Sequence, residues 1–187
     1  MRRMTSEDYE GEVDYQLHLF ATLDMQALFD QQLREIKAHL EQHGADARIL
    51  GVLHGQGEWD EICPLELRKG AITSTRFPQR FAQCETAEHV WVVPFLGDPV
   101  LWSLKPDPLL SNFPEGEIHR WNFITSVLSA DTGAAEAEFQ RRLATVEYLL
   151  DLQRQQIDTF VADLPEAVAK LLAEVPAVPR LAPRSFH

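Results

Sequence analysis

The sequence is short of cysteine, of positive charge and of long apolar runs, and each shortage excludes something. Its two cysteines, Cys63 and Cys84, stand in no C-x-x-C spacing and are too few for a disulfide framework, so free, buried thiols in a reducing compartment are expected. No stretch reaches the roughly 20 apolar residues that a membrane-crossing helix requires. The N-terminus, where Arg2 and Arg3 run into Glu7 and Asp8, lacks the apolar core of a secretory signal. A cytoplasmic protein with no membrane partner is the expectation. Seventeen Lys and Arg against 29 Asp and Glu leave a formal charge of -12. Nucleic acid is not an expected partner, because polyanions are captured by Lys and Arg that displace counterions. A basic protein or a neutral ligand fits better, although acidity also serves plain solubility.

What is present suits a folded domain. A chain of 187 residues, 45% hydrophobic, buries roughly 70% of the surface that it exposes when unfolded. We expect a flexible acidic arm over 1–12, a single domain over 13–175 whose part from 129 on is helical, and a proline-rich tail over 176–187. That tail holds Arg180 and Arg184 and no carboxylate. The composition has a bacterial character.

Periodicity sets the elements. Tyr15, Leu17, Leu19 and Ala21 alternate as in a strand. After Asp24, a potential N-cap, Met25, Leu28, Phe29, Leu33, Ile36 and Leu40 recur at helical spacing until Gly44 offers a left-handed stop. Ile49, Leu50, Val52 and Leu53 form a short apolar run read as a second strand, giving the order β-α-β. Leu65 to Thr75 reads as a hairpin. His89 to Leu96 has the β-branched and aromatic content of a strand buried on both faces, limited by Pro94. Gly97-Asp98-Pro99 reads as a turn into a strand over Val100 to Leu104, and Trp121 to Leu128 supplies another. The stretch from Lys105 to Glu117 is too broken by proline for a helix.

From Gly133 helix formers dominate. Phe139, Leu143, Val146, Leu150, Gln153, Ile157, Phe160 and Leu164 recur at alternating steps of four and three, a heptad seam with one polar member. Asp131 or Thr132 caps its start, and Pro165 ends or kinks it before a shorter helix. The class expected is therefore α+β: a mixed, largely antiparallel sheet with one N-terminal helix and a long C-terminal amphipathic helix packed on it.

Chemistry has few anchors. His54, Glu58, Asp60, Glu61 and Cys63 share a glycine-broken loop, and imidazole with carboxylates suits metal ligation or acid/base work. Their spacing matches no ligand pattern, so a solvated loop is the plainer reading. His39 and His43, four apart in the last turn of a helix, can face one ion; they also suit the helix dipole as exposed cations. Gly55-Gln-Gly57 lacks the remainder of any phosphate-binding fingerprint. No serine lies in a G-x-S-x-G turn.

The reading taken from the sequence is a non-enzymatic interaction or regulatory module of bacterial type. It meets a protein partner or a second copy through Leu150, Gln153, Ile157 and Phe160 of the C-terminal helix. Gln153 carries that expectation, since a polar residue in an apolar seam often fixes register or partner. No metal or cofactor is expected. Two alternatives stand beside it: a metal-assisted hydrolase using the His54–Cys63 loop with His54, Glu58, Asp60 and His89, and a small-ligand sensor lined by Trp59, Trp91, Trp102 and Trp121.

Overall fold

The computed structural model describes residues 19–55, 59, 62–81, 84–106, 109 and 113–174, with the backbone alone at 23, 79–81, 84 and 85. The arm over 1–12 and the tail over 176–187 lie outside the described residues, as does the Tyr15 to His18 part of the first expected strand. The chain divides into two units, one of Met1–Met25 with Ile62–Gln156 and the other of Gln26–Glu61 with Ile157–His187. The class is α+β, with three α-helices and an antiparallel sheet among the described residues.

The first unit is built on β4, Cys84–Leu96. It pairs antiparallel with β3 (Thr73–Phe81) and β2 (Glu66–Leu67) along one side and with β7 (Asn122–Ser129) along the other. The short strand β6 (Glu117–His119) closes a hairpin onto β7. Arg120 opens its two-residue turn at φ 54°, the positive φ that hairpin turns favour. Two prolines mark how this sheet is bounded. Backbone groups of Phe95 face β7, since its N–H donates to the Trp121 carbonyl. Those of Pro94 face the other way, where its carbonyl accepts the Arg68 N–H. Its missing donor thus falls where the chain detours between β2 and β3 through a 3-10 turn at Lys69–Ala71. By the same alternation, the even-numbered residues of β3 turn their backbone groups away from β4. Pro78 is one of them, so it costs the ladder nothing and blunts an outer edge that no described strand pairs.

Side chains alternate across the sheet. Ala87, His89, Trp91, Val93 and Phe95 of β4 and Phe123 and Thr125 of β7 are buried on one face. The first part of α3 (Thr132–Glu174) covers that face, with Phe139 stacked on Trp91 at 4.6 Å between ring centres and 3° between planes. Trp102 completes this core between Phe20, Phe95 and Phe123. Asp131 caps α3, its Oδ1 accepting the N–H groups of Gly133 at 2.7 Å and Ala134 at 3.3 Å.

The second unit is helical. Its core joins Ile36 and Leu40 of α1 (Met25–His43), Ile49 and Val52 of α2 (Ala47–Leu53), Trp59, and Leu164 and Val168 of α3. Gly44 ends α1 at φ 70°, as its position suggests.

Several local expectations give way. Leu19 and Phe20 form a turn, and the first strand, β1, is the pair Leu23–Asp24, parallel to β5 (Leu104–Lys105). The run from Ile49 to Leu53 is α2 rather than a strand, because Asp46 accepts the Arg48 and Ile49 N–H groups and starts a helix there. No β-α-β unit results. β2 and β3 both pair with β4 rather than with each other. Asp98 likewise caps a 3-10 turn over Pro99–Ser103, with Pro at its start, in place of most of the expected strand. Helix α3 runs through Pro165 to Glu174 as one element. The stretch 13–175, expected as one domain, contributes to both units, and α3 belongs in part to each.

Candidate functional site

Of the loop expected to be hydrolytic, His54 and Cys63 are among the described residues. His54 is the exposed C-cap of α2, its Nδ1 2.6 Å from the Leu50 carbonyl oxygen. Glu58, Asp60 and Glu61 lie outside the described residues. Cys63 is an exposed free thiol, which corrects the expectation that it is buried; its carbonyl, not its sulfur, is held, by the Asp98 N–H. His89 is buried under α3's side of the sheet, 6.0 Å from the Trp91 ring centre, with Nε2 unpartnered. The tryptophans do not line one cavity. Trp91 and Trp102 are core, Trp121 is 58% exposed at the β6–β7 turn, and Trp59 belongs to the other unit.

The helical seam is covered by its own chain. Leu150, Gln153 and Ile157 are buried, and Phe160 stacks on Phe29 at 4.4 Å. The amide of Gln153 donates to the carbonyls of Leu101 and Leu104, both at 2.7 Å. Its polarity is thus used inside the chain, at the end of the 3-10 turn, where the Leu101 carbonyl also accepts the Leu104 N–H. Gln156 donates in the same way to the Pro106 carbonyl.

A cleft of about 200 Å³ lies between Phe113 to Glu115 and the α3 residues Glu138, Arg141, Arg142 and Thr145. Its charges satisfy one another. Glu138 accepts from Arg141 Nε and Arg142 Nε at 2.9 Å each, and Arg142 also reaches Thr125 and the Ser126 carbonyl. Hydrogen bonds first from Arg141 and then from Arg142 hold the Glu138 carboxyl below its usual range. A carboxylate so neutralised is a poor base.

In the helical unit His39, His43, Asp46, Arg48 and Trp59 converge. Asp46 Oδ2 lies 2.8 Å from His39 Nε2 while its Oδ1 caps α2. The Ile49 N–H first, and then His39, lower the Asp46 pKa. The His39 ring meets Trp59 edge-on at 5.1 Å and lies 4.8 Å from the His43 ring. Arg48 rests 4.0 Å over the Trp59 ring and bonds its carbonyl at 3.3 Å. The two histidines are visible in their spacing, whereas Asp46 has as its signal only its N-cap position two residues before the Arg48-Ile49 run. Among the described residues no group of three or more His, Cys, Asp or Glu is placed to hold a metal ion.

No protein family, curated protein or solved structure matches the chain. The functional reading therefore rests on surfaces and side chains. Among the described residues no helix is long and apolar enough to cross a membrane.

Proposed function

We propose that the protein is a non-enzymatic interaction module whose partner-facing surface is the open face of its sheet, opposite α3. With the α3 seam occupied inside the chain, this face leaves apolar strand side chains exposed to a partner. The observation that carries the reading is one row across three strands, Phe77, Glu88 and Leu128, in which Phe77 is 48% and Leu128 60% exposed. Beside it run Val90, Val92 and Ile124, half-buried. Strand positions on this face carry Glu66, Glu88 and Glu117 and no Lys or Arg.

Apolar side chains set among carboxylates suit a segment that alternates basic and apolar residues. The chain carries such a segment at 176–187, where Arg180 and Arg184 alternate with Leu181 and Phe186. The occupant we assign is that segment of a second copy, which makes the module self-associating. Light scattering across a concentration series tests it, on wild type, on Leu128→Glu and on a chain ending at residue 175. The expected wild-type mass climbs above 21.3 kDa with concentration and falls back in high salt, because such contacts are screened; both variants stay monomeric. A wild type that is monomeric throughout, or variants that associate as well as wild type, overturns the reading.

A further inference from the structure

His39 and His43 project from one face of the last turns of α1, with ring centres 4.8 Å apart and planes tilted by 46°. Imidazole nitrogens bind zinc and its neighbours at about 2.0–2.1 Å. Two imidazoles on one ion then place their ring centres about 4.5–5.2 Å apart for coordination angles of about 90–110°. The observed separation falls inside that window with no rearrangement of the helix.

The second observation concerns the far side of the His39 ring. Asp46 is acceptor-only as a carboxylate, so at 2.8 Å it requires the proton on His39 Nε2. Neutral His39 then presents the lone pair of Nδ1. A carboxylate behind a histidine is the arrangement that fixes tautomer and ring orientation in metal sites and strengthens the ligand. Asp46 is itself immobilised, since its other oxygen caps α2 through Arg48 and Ile49. The C-terminal end of α1 adds negative potential at the same place.

We infer that His39 and His43 form an open two-histidine site for a divalent transition-metal ion of the zinc, nickel or copper type, oriented by Asp46. His39 Nδ1 and one nitrogen of His43 ligate. The remaining positions are open to water. Asp46 is a positioning residue and does not touch the ion. This site lies in the helical unit and is independent of the sheet face proposed for assembly.

Calorimetric titration of tag-free full-length protein with nickel chloride tests it, alongside His43→Ala and Asp46→Asn. His43 is exposed, so its truncation leaves the fold intact. Asn keeps the helix cap but turns its amide N–H toward Nε2, which shifts the ring proton to Nδ1 and blocks the ligating lone pair. One equivalent bound by wild type is expected. Affinity should fall at least tenfold in His43→Ala, and about ten- to a hundredfold in Asp46→Asn, the range seen when such outer carboxylates are removed. Unchanged far-ultraviolet circular dichroism confirms that both variants are folded. Absence of binding by wild type, or wild-type affinity in His43→Ala, overturns the site; wild-type affinity in Asp46→Asn overturns the role of Asp46.

Discussion

Replacing Gln153 with Leu removes two N–H donors from a place that water cannot reach, since the residue is 2% exposed. The Leu101 carbonyl keeps the N–H of Leu104 that it also accepts, whereas the Leu104 carbonyl loses its side-chain donor. Two lost bonds at about 1 kcal/mol each, with an added penalty for a poorly served buried acceptor, come to about 2–4 kcal/mol. Two gains oppose this. Gln153 Oε1 is buried without a partner, so its removal returns about 1 kcal/mol, and an apolar side chain adds about as much again. The net is a loss of about 0–2 kcal/mol, or up to about 8 °C in Tm for a chain of this size. Urea denaturation followed by tryptophan fluorescence and circular dichroism reads it directly. The sign is what matters: a polar residue kept in a seam to specify a partner gives a more stable protein when made apolar. A Gln153→Leu variant that melts higher than wild type, or that changes oligomeric state without losing stability, would refute the intrachain clamp. Gln153→Glu sharpens the contrast, because a carboxylate facing two carbonyls is buried unpaired and costs about 3–5 kcal/mol.

Phe139→Ala removes the ring stacked on Trp91 and opens a cavity under α3; a loss of about 3–5 kcal/mol with a red-shifted tryptophan emission is expected on chemical denaturation. Glu138 has a folded pKa below its ordinary 4.5, so its ion pairs with Arg141 and Arg142 stabilise the fold above that pH and are lost as pH falls through the lower folded value. Thermal melts from pH 6 down to pH 3 should therefore show a shallower decline in Glu138→Gln than in wild type, and parallel declines would count against the assignment. Cys63, exposed and free, should react with a thiol reagent in native buffer, and a Cys63→Ser chain should take up one equivalent fewer. Gly97→Ala is strained twice over, by φ 103° and by the Pro64 backbone where its methyl would go, and should lower Tm.

The parts of the fold legible in the sequence were those where one physical signal ran long enough to exclude its rivals. The steps of four and three from Phe139 to Leu164 extend over several turns, and every member of the seam is buried or half-buried in the structure. β4 and β7 carry enough Val, Ile, Phe and Trp to be read as strands. Short runs failed for the opposite reason. Ile49 to Leu53 is too brief to tell a period of 3.6 from one of 2, and the deciding residue, Asp46, acts through its cap rather than through any pattern. β3, with the sequence TSTRFPQRF, is an edge strand exposed on both faces wherever its side chains are described, so it shows no alternation to find. Pro165 was read as a break because proline removes an N–H; in the long α3 that single loss does not interrupt the helix. Of the candidate site, the histidine spacing was visible, but the carboxylate that orients one ring comes from another helix.

The sharing of α3 bears on how the protein is made. The helical unit draws Ile36 and Leu40 from near the start of the chain and Leu164 and Val168 from near its end. A ribosome delivers residues in order, at about 5–20 per second, so α1 and α2 emerge with their apolar faces bared and wait for Leu164 and Val168, which lie far along the chain. The sheet closes earlier, since β2 to β7 and the first turns of α3 are consecutive. The nascent chain therefore passes through an interval of about 1–2 seconds in which one unit is complete and the other displays an apolar surface, and this is when chaperone engagement or misassociation between neighbouring nascent chains would be concentrated.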